Sequence, residues 1–263
     1  MTYIGAIILG FIEGATEFIP VSSSGHLIIA RHFLNITEGG LSFDAVLQLA
    51  ATLAIIIYFW NDLWAILKTF WKIVWRKPVE QKEKTLVWAI ILGTIPAVIF
   101  GLLLESKMDT IFRNVNLVAL TLILGAMLFW YAQKKSTQDK TLSVKRGVVI
   151  GFFQCLALVP GVSRSGATIS GGLLSGLSRE EATRFSFLLS VPVLVGAGLK
   201  KLLEVRSEIF SSGFGLHLLV GSIVSFVVGL FAIHFLITYL KKHNLNLFIW
   251  YRVILAIALF LFM

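Results

Sequence analysis

The sequence predicts an all-α polytopic membrane protein, with six transmembrane helices plus two re-entrant helix pairs in an inverted-topology repeat. Three observations lead there. The 263 residues are 57% hydrophobic and 14% charged, against about 25% charged in soluble domains. Several apolar runs approach the ~20 residues that a helix needs to cross a bilayer. Residues 10–29 (GFIEGATEFIPVSSSGHLII) and 151–170 (GFFQCLALVPGVSRSGATIS) align without a gap. Gly10/Gly151, Phe11/Phe152, Val21/Val162, Ser22/Ser163, Ser24/Ser165, Gly25/Gly166 and Ile28/Ile169 are identical. Each copy is an apolar run that breaks at a proline, passes through serines and a glycine, and turns apolar again. Broken helices in paired repeats mark binding sites near the bilayer midplane.

The first copy lies within residues 1–40. Its apolar start is not expected to be a signal peptide, because it lacks a basic n-region and carries Glu13 and Glu17. Full spans are expected near 46–60, 86–104 and 117–132. The second copy follows at 145–176, and further spans near 181–200, 215–238 and 247–263. The loop at 61–84 holds Lys68, Lys72, Arg76, Lys77, Lys82 and Lys84, and that at 133–146 holds Lys134, Lys135, Lys140, Lys145 and Arg146. The loop at 105–116 has only Lys107 and Arg113. The excess of Lys and Arg makes the two basic loops cytoplasmic. It also accounts for the net charge of +9 without nucleic acid as a partner.

With those loops inside, span 46–60 begins outside and span 181–200 begins inside. Each copy must then enter and leave on one side, and the two enter from opposite faces. The chain reads as a single membrane domain, 1–263. Repeat one covers about 1–132, repeat two about 145–263, and a cytoplasmic loop joins them, with both termini outside the cytoplasm. SFDAVLQLAATLAI (42–55) and RFSFLLSVPVLVGA (184–197) are the matching next spans. Trp60, Trp64, Trp71, Trp75 and Trp88 suit an aromatic belt at the cytoplasmic surface. The single cysteine, Cys155, excludes an intramolecular disulfide.

Glu13 and Glu17 share one helix face. Two carboxylates in an apolar helix normally mark an ion, proton or substrate path, and together they call for a bound cation or a shared proton. Pro20 stops the helix, and Ser22, Ser23 or Ser24 can cap the next one. A helix start favours phosphate oxygens, and His26 adds a group that titrates near neutrality. The second copy replaces Ser23 by Arg164. An arginine at a hairpin tip inside the membrane is expensive unless it meets an anion, and its guanidinium suits a phosphate. The bland alternative is an ion pair with Glu13 or Glu17. Ser163, Ser165, Gly166 and Thr168 supply donors at the second helix start. Gln154 and Leu158 stand where the first copy has Glu13 and Glu17, so the acids sit in one half and the cation in the other. Asp44, Gln48, Arg184 and Ser186 are weaker candidates, while His32, His217, His234 and His243 show no metal-ligand spacing and read as packing or interfacial groups.

These motifs, in this order, resemble the undecaprenyl pyrophosphate phosphatases, the bacitracin-resistance family of bacterial inner-membrane enzymes. The resemblance rests on EGATEFIPVSSSGH (13–26) and PGVSRSGAT (160–168), with FDAVLQ (43–48) and RFSFLL (184–189) in support. It implies hydrolysis of a C55 polyprenyl pyrophosphate to the monophosphate on the outer side of the inner membrane. That step recycles the carrier lipid for cell-wall synthesis and confers bacitracin resistance. It also implies that Glu13 and Glu17 bind a divalent cation, Mg2+ or Ca2+. Glu17, Ser23, His26 and Arg164 would be catalytic, and Ser22, Ser24, Ser163, Ser165, Gly166 and Thr168 would contact substrate. The expected partners are the polyprenyl lipid, bilayer lipids and a second copy of the chain as a homodimer. The residues leave open whether Ser23 or a water attacks phosphorus. A membrane acid phosphatase with a PSGH motif is disfavoured, because neither its Lys-x6-Arg-Pro element nor its second His is present. A lipid flippase or proton-coupled transporter on the same repeat is the non-enzyme alternative.

Overall fold

The computed structural model describes the chain except residues 37–39, 112–114, 212–214 and 263; Arg113 therefore lies outside the described residues. Every regular element described is helical. The first copy forms α1 (Tyr3–Phe18) and α2 (Ser23–Phe33), followed by α3 (Gly40–Tyr58), α4 (Trp60–Val74), α5 (Gln81–Ile111) and α6 (Val115–Lys135). The second copy forms α7 (Val144–Cys155), a 3-10 turn at Leu156–Leu158 and α8 (Arg164–Leu174), followed by α9 (Arg179–Ser211), α10 (Gly215–Lys242) and α11 (Asn246–Phe262).

Gln81–Leu104, Val115–Lys135, Arg179–Glu204 and Gly215–Lys242 are each long and apolar enough to cross a membrane. The other two expected spans take different forms. Span 46–60 belongs to α3, which passes into α4 through a bend of 78°. Asn246–Leu261 is apolar but short. The stretch 61–84, expected as a loop, is helical over most of its length because Trp64, Lys68, Trp71, Lys72 and Trp75 recur at helical spacing. The outer surface is apolar: Ile4, Leu103, Phe231 and Leu261 are each at least 70% exposed, which suits a lipid surround.

The repeats interlock rather than sit side by side. The pairs α1–α10 and α5–α7 are the most intimate in the molecule, so each copy packs on a helix of the other repeat. Both crossings are built on small residues that let backbones approach. A Cβ on Gly10 would lie 2.3 Å from the Gly221 carbonyl oxygen, and one on Gly14 would lie 2.4 Å from that of Ser225. On the other side, a Cβ on Gly151 would lie 2.1 Å from the Gly93 carbonyl oxygen. The matching spans α3 and α9 also pack on one another.

The helix ends separate into two faces. Glu180 pairs with Lys241 at 3.3 Å, Arg184 pairs with Asp62, and the Leu245 N–H donates to Gln133 Oε1 at 2.7 Å. These bonds gather the start of α4, the end of α6, the start of α9, the end of α10 and the start of α11 at the basic face. Tyr3 stacks on His217 at the opposite face. Hence α1 starts at the far face and α7 at the basic one, the inversion that the charge pattern predicts.

Candidate active site

The two hairpin tips meet in the interior. Ser22 and Ser163 are the N-caps of α2 and α8, with φ of 77° and 74°, a left-handed backbone that costs a non-glycine residue about 1 kcal/mol or more. Each cap oxygen accepts its own helix's third N–H, Gly25 or Gly166, at 3.4 Å. Ser22 Oγ also accepts the Gly161 N–H of the other tip at 3.1 Å. Gly161 has φ +93°, and a Cβ there would fall 1.9 Å from Thr121 Oγ1. That hydroxyl donates to the Pro160 carbonyl at 2.6 Å.

Arg252, on α11, joins the tips from beneath and is fully buried. Its guanidinium donates to the carbonyls of Val162 (3.0 Å), Gly161 (2.6 Å), Pro20 (3.4 Å), Leu122 (3.1 Å) and Thr121 (3.3 Å), and it lies over the Phe129 ring. Arg252 is not among the site residues expected from the repeat. The signal was present, since a cation in the middle of the apolar run 247–263 is as costly as Arg164.

The chemistry converges on Glu17, which is 7% exposed. Ser23 Oγ donates to Glu17 Oε2 at 2.6 Å, and Arg164 Nη2 donates to Oε1 at 3.2 Å. The ion pair weighed as the bland reading of Arg164 is therefore present. It does not exhaust the guanidinium, because Nε and Nη1 are buried with no hydrogen-bond partner. Unmade bonds on a buried charged donor are costly, and an arriving anion would satisfy them. Glu13 is 2% exposed and accepts no hydrogen bond among the described residues; Glu17, Asp44 and Arg164 are the charges that bear on it.

His26 stands one turn along α2 from Ser23 and is held at both nitrogens. Nδ1 lies 2.7 Å from the Ser22 carbonyl and Nε2 lies 2.7 Å from the Tyr251 hydroxyl. Ser23 thus bonds to Glu17, and among the described hydrogen bonds none runs from Ser23 to His26.

The expected substrate contacts divide sharply. Ser24 is exposed and Ser22 is buried as a cap. Ser165, Gly166 and Thr168 are fully enclosed: Ser165 Oγ lies 3.2 Å from Ser163 Oγ, the Phe129 ring covers Gly166, and Thr168 Oγ1 meets Ser186 Oγ at 2.5 Å. The weaker candidates are spent in pairs, Asp44 with Arg31 at 2.6 Å and Arg184 with Asp62. His234 meets the Tyr58 hydroxyl at 3.1 Å and His243 stacks on Tyr239. Among the described residues no group of three or more His, Cys, Asp or Glu side chains is arranged to hold a metal ion.

Known proteins match nearly the whole of this chain. The family model described as Bacitracin resistance protein BacA matches residues 6–258. An undecaprenyl-diphosphatase of Chloroherpeton thalassium is 42% identical over 98% of this chain and 96% of that protein. One of Moorella thermoacetica is 40% identical over 97% and 96%, and one of Corynebacterium striatum is 41% identical over 98% and 93%.

Proposed function

The chain belongs to the bacitracin resistance protein BacA family, and from that premise we propose that it hydrolyses undecaprenyl diphosphate to undecaprenyl phosphate and inorganic phosphate. The observation that carries the reading is Glu17, which accepts a hydrogen bond from Ser23 on one oxygen and from Arg164 on the other while two guanidinium nitrogens stay unused. Phosphoryl transfer needs alignment and charge neutralisation more than elaborate chemistry, and this set supplies both.

In the proposed sequence the free N–H groups of Arg164 take oxygens of the terminal phosphate. Ser23 Oγ attacks the terminal phosphorus as its proton passes to Glu17. The bond from that phosphorus to the bridging oxygen breaks, and undecaprenyl phosphate leaves with the electron pair. Water then attacks the phosphoserine, Glu17 returns the proton to Ser23, and inorganic phosphate is released. His26, on the face of α2 that Ser23 occupies, receives the proton of that water.

A divalent cation, Mg2+ or Ca2+, fits the two carboxylates. Glu13 is buried and accepts no hydrogen bond among the described residues, and Glu17 is one turn away. Mg2+ in particular is commonly held by one or two carboxylates plus substrate phosphates, which suits a protein site short of a third acid. The cation would neutralise the diphosphate charge. Ser24, exposed at the first tip, is the proposed substrate contact among the serines. Ser22, Ser163, Ser165, Gly166 and Thr168 are assigned to building the tips. We place the protein in the bacterial inner membrane with the site open to the outer side. The support is that the exposed tip belongs to the hairpin entering opposite the basic loops.

The test is phosphate release from a C55 or shorter polyprenyl diphosphate in detergent, with and without divalent cation, for wild type, Glu17→Ala and Arg164→Ala. Cation-dependent release in wild type and a loss of about 10²-fold or more in both variants is expected, the scale of removing a group that stabilises transition-state charge. Absence of release from folded wild type across metals overturns the reading.

A further inference from the structure

His26 is presented to the site by a residue from the far end of the chain. Its Nδ1 lies 2.7 Å from the Ser22 carbonyl, an atom that can only accept. In the neutral ring the proton therefore sits on Nδ1, and Nε2 carries the lone pair. That lone pair faces the Tyr251 hydroxyl at 2.7 Å, so the hydroxyl donates to it. Nε2 has a single lone pair, so the hydroxyl turns its proton away as the water's proton arrives there, and Nε2–H then donates to the tyrosine oxygen. The hydroxyl thus serves the ring in both protonation states. The two rings are stacked, 5.6 Å between centroids with 12° between planes, so the imidazole is fixed in tilt as well as in tautomer.

The platform is rigid for a stated reason. Tyr251 is followed by Arg252, whose guanidinium is bonded to both hairpin tips. The helix that brings the hydroxyl to His26 is thereby locked to the backbone that carries Ser22 and Ser23. Tyr251 is half exposed, so packing alone does not demand a tyrosine there. Arg252, next to Tyr251 on α11, is the cation that bears on His26.

We propose that Tyr251 is a positioning residue for hydrolysis, holding the ring of His26, whose Nδ1–H tautomer the Ser22 carbonyl fixes, with Nε2 as the base. The inference rests on the reading of His26 given above, and its test separates the two. The Nε2 resonance of 15N-labelled His26, assigned by its loss in His26→Ala, reports the tautomer without turnover. In wild type it should show an unprotonated, hydrogen-bonded Nε2, and it should move in Tyr251→Phe. Phosphate release should fall about tenfold in kcat for Tyr251→Phe with KM within twofold. In a His26→Ala background the same change should cost less than twofold, because the hydroxyl then has nothing to position. Tyr251→Leu, lacking ring and hydroxyl, should be no better than Tyr251→Phe.

Equal losses in both backgrounds, a fully active Tyr251→Phe, or an Nε2–H tautomer in wild type would each overturn the positioning role. A folded wild type that releases no phosphate but shows the Nδ1–H tautomer would sink the hydrolase reading instead.

Discussion

The two hairpins share a backbone and divide the labour. Both begin as a helix on a glycine crossing, break at a proline, and restart on a serine cap with φ near 75°. The first tip leaves Ser24 exposed and Ser23 half-buried, with Glu17 behind them. The second closes over Ser165, Gly166 and Thr168 and offers one polar group to the other tip's acid, Arg164. One copy of a duplicated motif keeps an open serine with an acid behind it; the other keeps a cation and a sealed core. The difference teaches that a shared fold of the tip fixes where groups sit, while single substitutions such as Ser23/Arg164 decide what they do.

The sharpest way to break this comparison is to remove the hydroxyl that only the first tip has. Ser23→Ala should lower phosphate release about 10³-fold in a protein that stays folded in detergent, as for loss of an activated nucleophile. Near-full turnover would move the attack from Ser23 to a water.

The shared foundation is the next largest target. Arg252→Met removes the donors to five carbonyls at and beneath the two tips. Each buried acceptor left unpaired costs about 1–3 kcal/mol, so a loss of about 3 kcal/mol or more in stability is expected by chemical denaturation. A variant as stable as wild type would show that the tips hold themselves.

The smallest effect probes the matched glycines. A Cβ on Gly166 would lie 2.0 Å from Phe129 Cζ, whose ring is fully buried, whereas one on Gly25 would meet Val118 Cγ1 at 3.0 Å and Ser22 Oγ at 3.4 Å. Overpacking costs about 1–3 kcal/mol, and the gain from replacing a helical glycine by alanine is about 1 kcal/mol. Gly166→Ala should therefore lower the melting temperature, and Gly25→Ala should leave it nearly unchanged. Equal shifts would show that the second tip is no tighter than the first.

Much of the site was legible because cost is legible. Glu13, Glu17 and Arg164 stand out in apolar sequence, and the repeat brings them face to face. Arg252 obeys the same rule but lies outside either copy of the repeat. The stretch 61–84 reads as a loop by its lysines, whereas its tryptophans carry the helical spacing that α4 follows. Tyr251 carried no signal, since an aromatic residue in an apolar helix usually faces lipid or core.

The sequence alone determined the membrane class, the inverted pair of broken helices and the placing of acids in one half and cation in the other. Charge bias, apolar length and self-similarity are properties of the chain read in order. Only the tertiary structure decided that Glu17 rather than His26 takes the Ser23 hydroxyl, that His26 answers to Tyr251, and that the second tip's serines are sealed. Hydrogen bonds are settled within about 3 Å, and groups from distant parts of the chain compete for each partner. No spacing along the chain reveals which one wins.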